Sequence, residues 1–309
     1  LCTFCKTSAI KPREDLRKAK VARDHNKWLL GKQTQKDVAT ESKHSPRQFR
    51  RKIAWCWDAP SLATLVLTGE IHHAIIVDGI RVGSSVCLIA RTTEFVIGWK
   101  WVPYESSRYW SQLIAVLPPP AYVVCDGQKG MLHALNILWP ETVIQRCRFH
   151  AWLNVKTKLT LHPESEAGKQ LLTITRNPLQ VHSKREARIW KYKLHHWFRK
   201  HHCYIEQRTN AQNPMKGHYT HYRVRSAYRQ LYKITDDLLR SSYRPNLQLP
   251  RNINHLEGGI NSPIRTLLKN HRGMSNEHQM KLVEQYLYSR SETAGTKLIP
   301  GQKPPRKCL

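Results

Sequence analysis

Two short stretches of the chain end alike, and both end on a carboxylate. One reads Ala74-Ile75-Ile76-Val77-Asp78-Gly79 and the other Tyr122-Val123-Val124-Cys125-Asp126-Gly127. An apolar, β-branched run of four or five residues fits a strand buried on both faces. In an open α/β sheet, ligands gather at the carboxyl ends of the strands, so the two aspartates are expected to meet there. Carboxylates brought together repel one another unless a proton or a cation intervenes. Hard divalent cations such as Mg2+ take oxygen ligands. Asp78 and Asp126 are therefore the first candidate site residues, to be joined by a shared proton or by a metal ion.

The elements that must position them read as an α/β fold. After the first run, Gly79 and Gly83 bracket a turn, Val86 to Ala90 forms a strand, and Phe95, Ile97 and Trp99 alternate through a third. Short turns between these three predict an antiparallel meander. Residues 106–117 read as a helix stopped by Pro118-Pro119-Pro120. The second aspartate run follows, then a helix over 129–139, a strand at Val143 to Cys147, and a basic helix from Phe149 to Leu159. The sum is a mixed five-stranded sheet carrying helices, over residues 70–160.

Composition points to the partner. Lys and Arg number 51 against 22 Asp and Glu, a formal net charge of +29. Charge this lopsided favours a polyanion, and nucleic acid before a membrane surface. No apolar run approaches the roughly 20 residues that span a bilayer. The eight cysteines are scattered and form no disulfide framework, which fits a reducing compartment.

Residues 24–60 read as a small helix-turn-helix domain. Trp28, Leu29 and Leu30 close a first helix that Gly31 can end. Thr34 and Asp37 suit a capping arrangement for a second. Ser45-Pro46 suits the start of a third, with Phe49, Ile53 and Trp57 inward. Its polar side carries Arg47, Gln48, Arg50 and Arg51, the residue types that read a major groove. Ahead of it, residues 1–23 read as a linker with a partial zinc-ribbon remnant. Cys2-Thr3-Phe4-Cys5 is one knuckle where a zinc site wants two, so no bound zinc is predicted.

Residues 161–250 carry no strand signal, and hold seventeen Lys or Arg against six Asp or Glu. Long helices are expected over 185–202 and 222–241. The aromatic stripe Trp190, Leu194, Trp197 and Phe198 fits a core face. The histidine pairs 195/196 and 201/202 are neighbours on a helix and do not share a face, which argues against metal binding.

Further residues bring a family into view. Val77-Asp78-Gly79, Cys125-Asp126-Gly127-Gln128-Lys129-Gly130 and Gln145-Arg146-Cys147-Arg148-Phe149-His150 occur in that order. Asn254-His255-Leu256-Glu257-Gly258-Gly259-Ile260-Asn261 and His271-Arg272-Gly273-Met274-Ser275 follow. Over residues 24–290 this pattern resembles the DD(E/D) transposases of bacterial insertion sequences. Within them it resembles the group related to the plant Mutator elements, with a C-x2-H signature and a ribonuclease H-like catalytic domain. The resemblance implies that Asp78, Asp126 and Glu257 are the catalytic and metal-holding residues. It also implies that Cys147 and His150 support the site, and that residues 161–250 are an all-α insertion explaining the 131 residues between Asp126 and Glu257. Residues 251–290 would complete the catalytic core, with 291–309 a disordered tail. Local propensity alone starts a helix at Ser262-Pro263, because Gly258, Gly259 and Pro263 suit a helix interior poorly. The glutamate's helix is instead expected to start near 254 and to loosen near 258–263. Arg265 and Arg272 are expected to add DNA-binding charge beside the site.

The expected activity is DNA cleavage at the element's ends, followed by attack of the freed 3′-hydroxyl on target DNA. Two Mg2+ (or Mn2+) ions about 4 Å apart would assist both steps. The partners would be double-stranded DNA, as terminal repeats and target, and further copies of the chain. No membrane is involved, and the place would be the bacterial cytoplasm, at the nucleoid. A non-catalytic DNA-binding remnant or repressor, and a structure-selective nuclease on the same fold, are the alternatives.

Overall fold

A computed structural model describes residues 13–58, 69–176, 181–209, 217–244 and 257–291, the side chains of Glu257 and Gly258 excepted. The chain divides into two compact units, one of residues 67–261 and one combining residues 1–66 with 262–309.

The first of these units holds the sheet. Its strands are β1 (Ala74–Val82), β2 (Ser85–Arg91), β3 (Val96–Val102), β4 (Tyr122–Cys125) and β5 (Val143–Arg146), in the spatial order β3-β2-β1-β4-β5. β1, β2 and β3 form the antiparallel meander; β1, β4 and β5 run parallel. β1 does not stop at Asp78-Gly79 as its apolar run suggests. Its pairing with β2 continues to Val82↔Ser85, and the turn comes at Gly83 and Ser84. The reason is the partner strand, which supplies hydrogen bonds past the point where the hydrophobic pattern weakens.

Residues Ile75, Val77, Leu88, Val123 and Cys125 face α4 (Ser107–Ile114) and α5 (Lys129–Leu138), whose Trp110, Leu113, Met131 and Leu135 complete one core. Alternation puts Ile76, Asp78 and Ile80 on the opposite face, and all three are buried.

A second core is helical. It joins α6 (Arg148–Leu159), α7 (Glu166–Arg176), α8 (Lys184–Glu206), α9 (Tyr222–Lys233) and α10 (Thr235–Leu239). The aromatic stripe of α8 is core: the Trp190 and Trp197 indoles are buried and donate to Ile174 O and Ala167 O at 2.8 and 3.0 Å. The helix expected over 222–241 is broken at Ile234 and ends in a 3-10 turn, Arg240–Tyr243. There Thr235 Oγ1 donates back to Leu231 O at 3.0 Å, a local bond that competes with helix continuation. α7 is not among the helices expected from the sequence; its buried face is Ala167, Gly168, Leu171, Leu172 and Thr175.

The amino-terminal unit contains α1 (Glu14–Leu30), α2 (Gln35–Glu41), α3 (Pro46–Asp58), α11 (Ser262–Asn270) and α12 (Asn276–Ser289). Among the described residues that makes twelve α-helices in all. α1 begins ten residues before the expected boundary at 24. The Thr34/Asp37 capping box is present at α2, and Phe49 and Ile53 are buried with Val38 and Ala39. α11 and α12 belong with these helices: His271 Nε2 lies 2.9 Å from Leu29 O, and Gln285 Nε2 donates to Asn26 Oδ1 at 3.2 Å. The expected second part of the catalytic core, 251–290, is thus divided between the two units after Asn261. No helix among the described residues is long and apolar enough to cross a membrane. Cys2 and Cys5, and the tail beyond Ser291, lie outside the described residues.

Candidate active site

Parallel pairing of β1 with β4 matches Ala74 to Tyr122, Ile75 to Val123 and Ile76 to Val124. Continued at the same offset, the register sets Asp78 level with Asp126. Each lies two residues past the last paired position, on neighbouring strands whose usual spacing is about 4.8 Å. This is how two runs 48 residues apart in sequence deliver two carboxylates to one place.

Asp78 is only 6% exposed. A buried carboxylate needs donors, and Asn261 supplies one: its Nδ2 donates to Asp78 Oδ2 at 3.0 Å. Asn261 ends a π turn, Glu257–Asn261. Gly258 and Gly259 favour no regular helix, and Pro263 has no N–H to complete the ladder of a continuous one, so the turn widens there. The turn carries the backbone of Glu257; the glutamate's side chain lies outside the described residues. The other end of the Asn261 amide, Oδ1, is buried with no hydrogen-bond partner among the described residues.

Asp126 follows β4 directly. Its Oδ1 accepts from Gln128 N at 2.8 Å, a tight turn that leads into α5. Its carbonyl accepts twice from Arg146, Nε at 3.1 Å and Nη2 at 2.7 Å. Gly127 has φ of 81°, and a Cβ there would sit 1.8 Å from Arg146 Cζ. The glycine is required by both its conformation and the guanidinium packed on it.

One carboxylate near the pair escaped the sequence reading. Glu105 precedes the Ser106 cap of α4, accepts from Trp110 Nε1 at 3.3 Å, and lies so close to Gly79 that a Cβ there would be 2.7 Å from Glu105 Oε1. Burial, then the neighbouring Asp126 charge, push its carboxyl above the usual range, while the Trp110 indole and Arg81 pull it down. A single acid in a loop carries no periodic or motif signal; only the Gly79 that admits it hinted at a close approach.

Cys147 and His150 sit at the start of α6. Cys147 N donates to Cys125 O at 2.8 Å, extending the β4–β5 pairing, and its Sγ caps the helix by accepting from His150 N at 3.5 Å. The C-x2-H spacing is here the spacing of a helix cap. The flanking residues hold more: Arg148, 1% exposed, donates to Leu238 O, Val181 O, Ser241 Oγ and Ser242 Oγ. Gln145 Nε2 also donates to Leu238 O at 2.8 Å. Sequence reading saw these two as motif letters, and their role only emerges with their partners about 90 residues away.

The six residues expected to bind DNA, Arg47, Gln48, Arg50, Arg51, Arg265 and Arg272, all fall in the amino-terminal unit, and all are exposed. Gln48 is occupied, its Oε1 accepting from Ser45 N at 2.9 Å as part of the α3 cap.

The donors around Asp78 and Asp126 are oxygens, and the leftover Asn261 Oδ1 is an acceptor facing no described donor, which suits a hard hydrated cation. Among the described residues no three His, Cys, Asp or Glu side chains converge closely enough to hold a metal ion, and the Glu257 side chain lies outside them. Comparison with protein-family profiles gave no match, and neither did comparison with curated proteins.

Proposed function

We propose that the chain is a DNA transposase: it cuts DNA at the ends of an insertion sequence and joins the freed 3′ end to target DNA. The observation that carries this reading is the parallel register of β1 and β4, which, continued two residues past its last pair, brings Asp78 level with Asp126. The strand order and mixed pairing agree with a ribonuclease H-like catalytic domain, and α2 and α3 with a helix-turn-helix that holds double-stranded DNA. The net charge of +29 suits a long polyanionic substrate. The protein would act on DNA as a homo-oligomer, in the bacterial cytoplasm at the nucleoid.

Asp78, Asp126 and Glu257 would hold two Mg2+ (or Mn2+) ions, which when bound neutralise charge on the attacking and leaving oxygens of a phosphodiester. The chain's own contribution is placement. Asn261 fixes the Asp78 carboxylate; Arg146 and the Gln128 amide fix Asp126; Cys147 and Arg148 anchor the strand end beside it. In the first reaction water attacks the phosphorus, leaving a 5′-phosphate and a 3′-hydroxyl. In the second that hydroxyl loses its proton as it attacks a target phosphodiester, and a target 3′-hydroxyl leaves. Both are displacements at phosphorus, so one site serves both.

The test is Mg2+-dependent cleavage and joining on labelled DNA carrying the element's terminal repeats. Asp126→Asn and Glu257→Gln are each expected to abolish both reactions while DNA binding is kept. Full activity in either variant would remove that residue from the site.

A further inference from the structure

A groove of about 660 Å³ opens between α8 and α9, within the roughly 300–1,000 Å³ typical of binding sites. Its wall is an aromatic stack that climbs from core to surface. The rings of Phe198 and Tyr228 lie parallel, 8° apart with centroids at 4.8 Å, and Tyr232 follows at 5.7 Å and 25°. Tyr228 is 5% exposed and Tyr232 51%, so the stack ends on a half-exposed ring, against which the His195 imidazole packs at 89° with centroids 5.7 Å apart. Burial, with the neighbouring Tyr232, pushes the Tyr228 phenol up to about 12.

Charge lines the same groove. Arg225, Arg229 and Lys233 recur every four residues along α9, hence on one face. They span about 12 Å of helix. The lining acid, Glu206, is already neutralised by Arg225, with Nε–Oε1 at 3.0 Å and Nη2–Oε2 at 3.2 Å. A second cleft of about 540 Å³ shares these three cations. With Arg225 engaged by Glu206, Arg229 and Lys233 carry the positive charge of the row beside an aromatic stack that ends on a half-exposed ring.

We infer that this groove binds an unpaired stretch of nucleic acid, with a base continuing the stack on the exposed part of Tyr232 and phosphates at Arg229 and Lys233. Bases inside a duplex have both faces covered, so stacking on the half-exposed Tyr232 selects for a strand whose bases are free. The inference does not need the carboxylate site to cut, and its test includes no divalent metal and no cleavage step.

The experiment measures fluorescence anisotropy of a fluorescein-labelled short oligothymidylate, and of a duplex of equal length, with the full chain in EDTA. Tyr232→Ala is expected to weaken oligothymidylate binding about tenfold and to leave duplex binding within about twofold. Tyr232→Phe should bind as the parent does. Arg229→Ala, an exposed change with little risk to folding, should weaken binding and flatten the slope of log K against log salt concentration by about 0.7. Tyr192→Ala removes another exposed tyrosine of α8 that does not line the groove, and should change nothing. Equal losses on duplex and single strand, no loss in either groove variant, or a loss with Tyr192→Ala matching that of Tyr232→Ala would each overturn the assignment.

Discussion

At Gly127 two constraints coincide, a φ of 81° and the Arg146 guanidinium where a Cβ would go. The left-handed backbone alone costs a side chain about 1–2 kcal/mol. Moving Arg146 would also break its two bonds to the Asp126 carbonyl, at about 1 kcal/mol each. Gly127→Ala is therefore expected to destabilise the fold by roughly 3–4 kcal/mol, read as a lowered urea midpoint. It should reduce cleavage more than DNA binding, because the displaced group holds Asp126. The glycine after an aspartate is legible in the sequence as a turn residue. The arginine that makes it obligatory is not, since β5 reaches Gly127 only through the sheet.

Elements are tied together by residues that look unremarkable in the chain. Arg148 and Gln145 flank the β5–α6 junction and reach the Leu238 carbonyl and the Ser241–Ser242 turn. They connect the sheet to the helical core. Arg148→Met keeps much of the volume but leaves buried carbonyls and hydroxyls without donors. We expect a loss of about 3 kcal/mol or more, measured by urea unfolding. Arg148→Lys should recover only part of it, because an ammonium lacks the fork geometry. Helix starts, by contrast, were readable locally: Thr34 with Asp37, and Ser45 with Pro46, cap where a capping residue and its partner stand three apart or a proline opens the helix.

On the scale of the molecule, the amino-terminal unit carries a titration built into its core. His25 is buried among Trp28 and Trp57, with His271 and His278 adding repulsion. Burial is the main cause that lowers its pKa from 6.5 to about 4; a bond to Asn26 opposes it. The unfolded chain therefore binds a proton at His25 that the folded one refuses. Stability is complete above about pH 6.5 and falls as pH drops toward 4, by about 3 kcal/mol across that window. Unfolding midpoints of the full chain at pH 7 and pH 5 should show the loss, and His25→Phe should flatten it.

The sequence by itself determined the carboxylate runs, the five strands, most helix starts and the basic character, because each rests on neighbours in the chain or on composition. Tertiary structure decided the rest. It carried β1 past Asp78, set that residue level with Asp126, brought Asn261 and Glu105 to the site, and grouped α11 and α12 with the amino-terminal helices. Those outcomes depend on pairing and packing between residues tens to hundreds of positions apart, for which local periodicity holds no record.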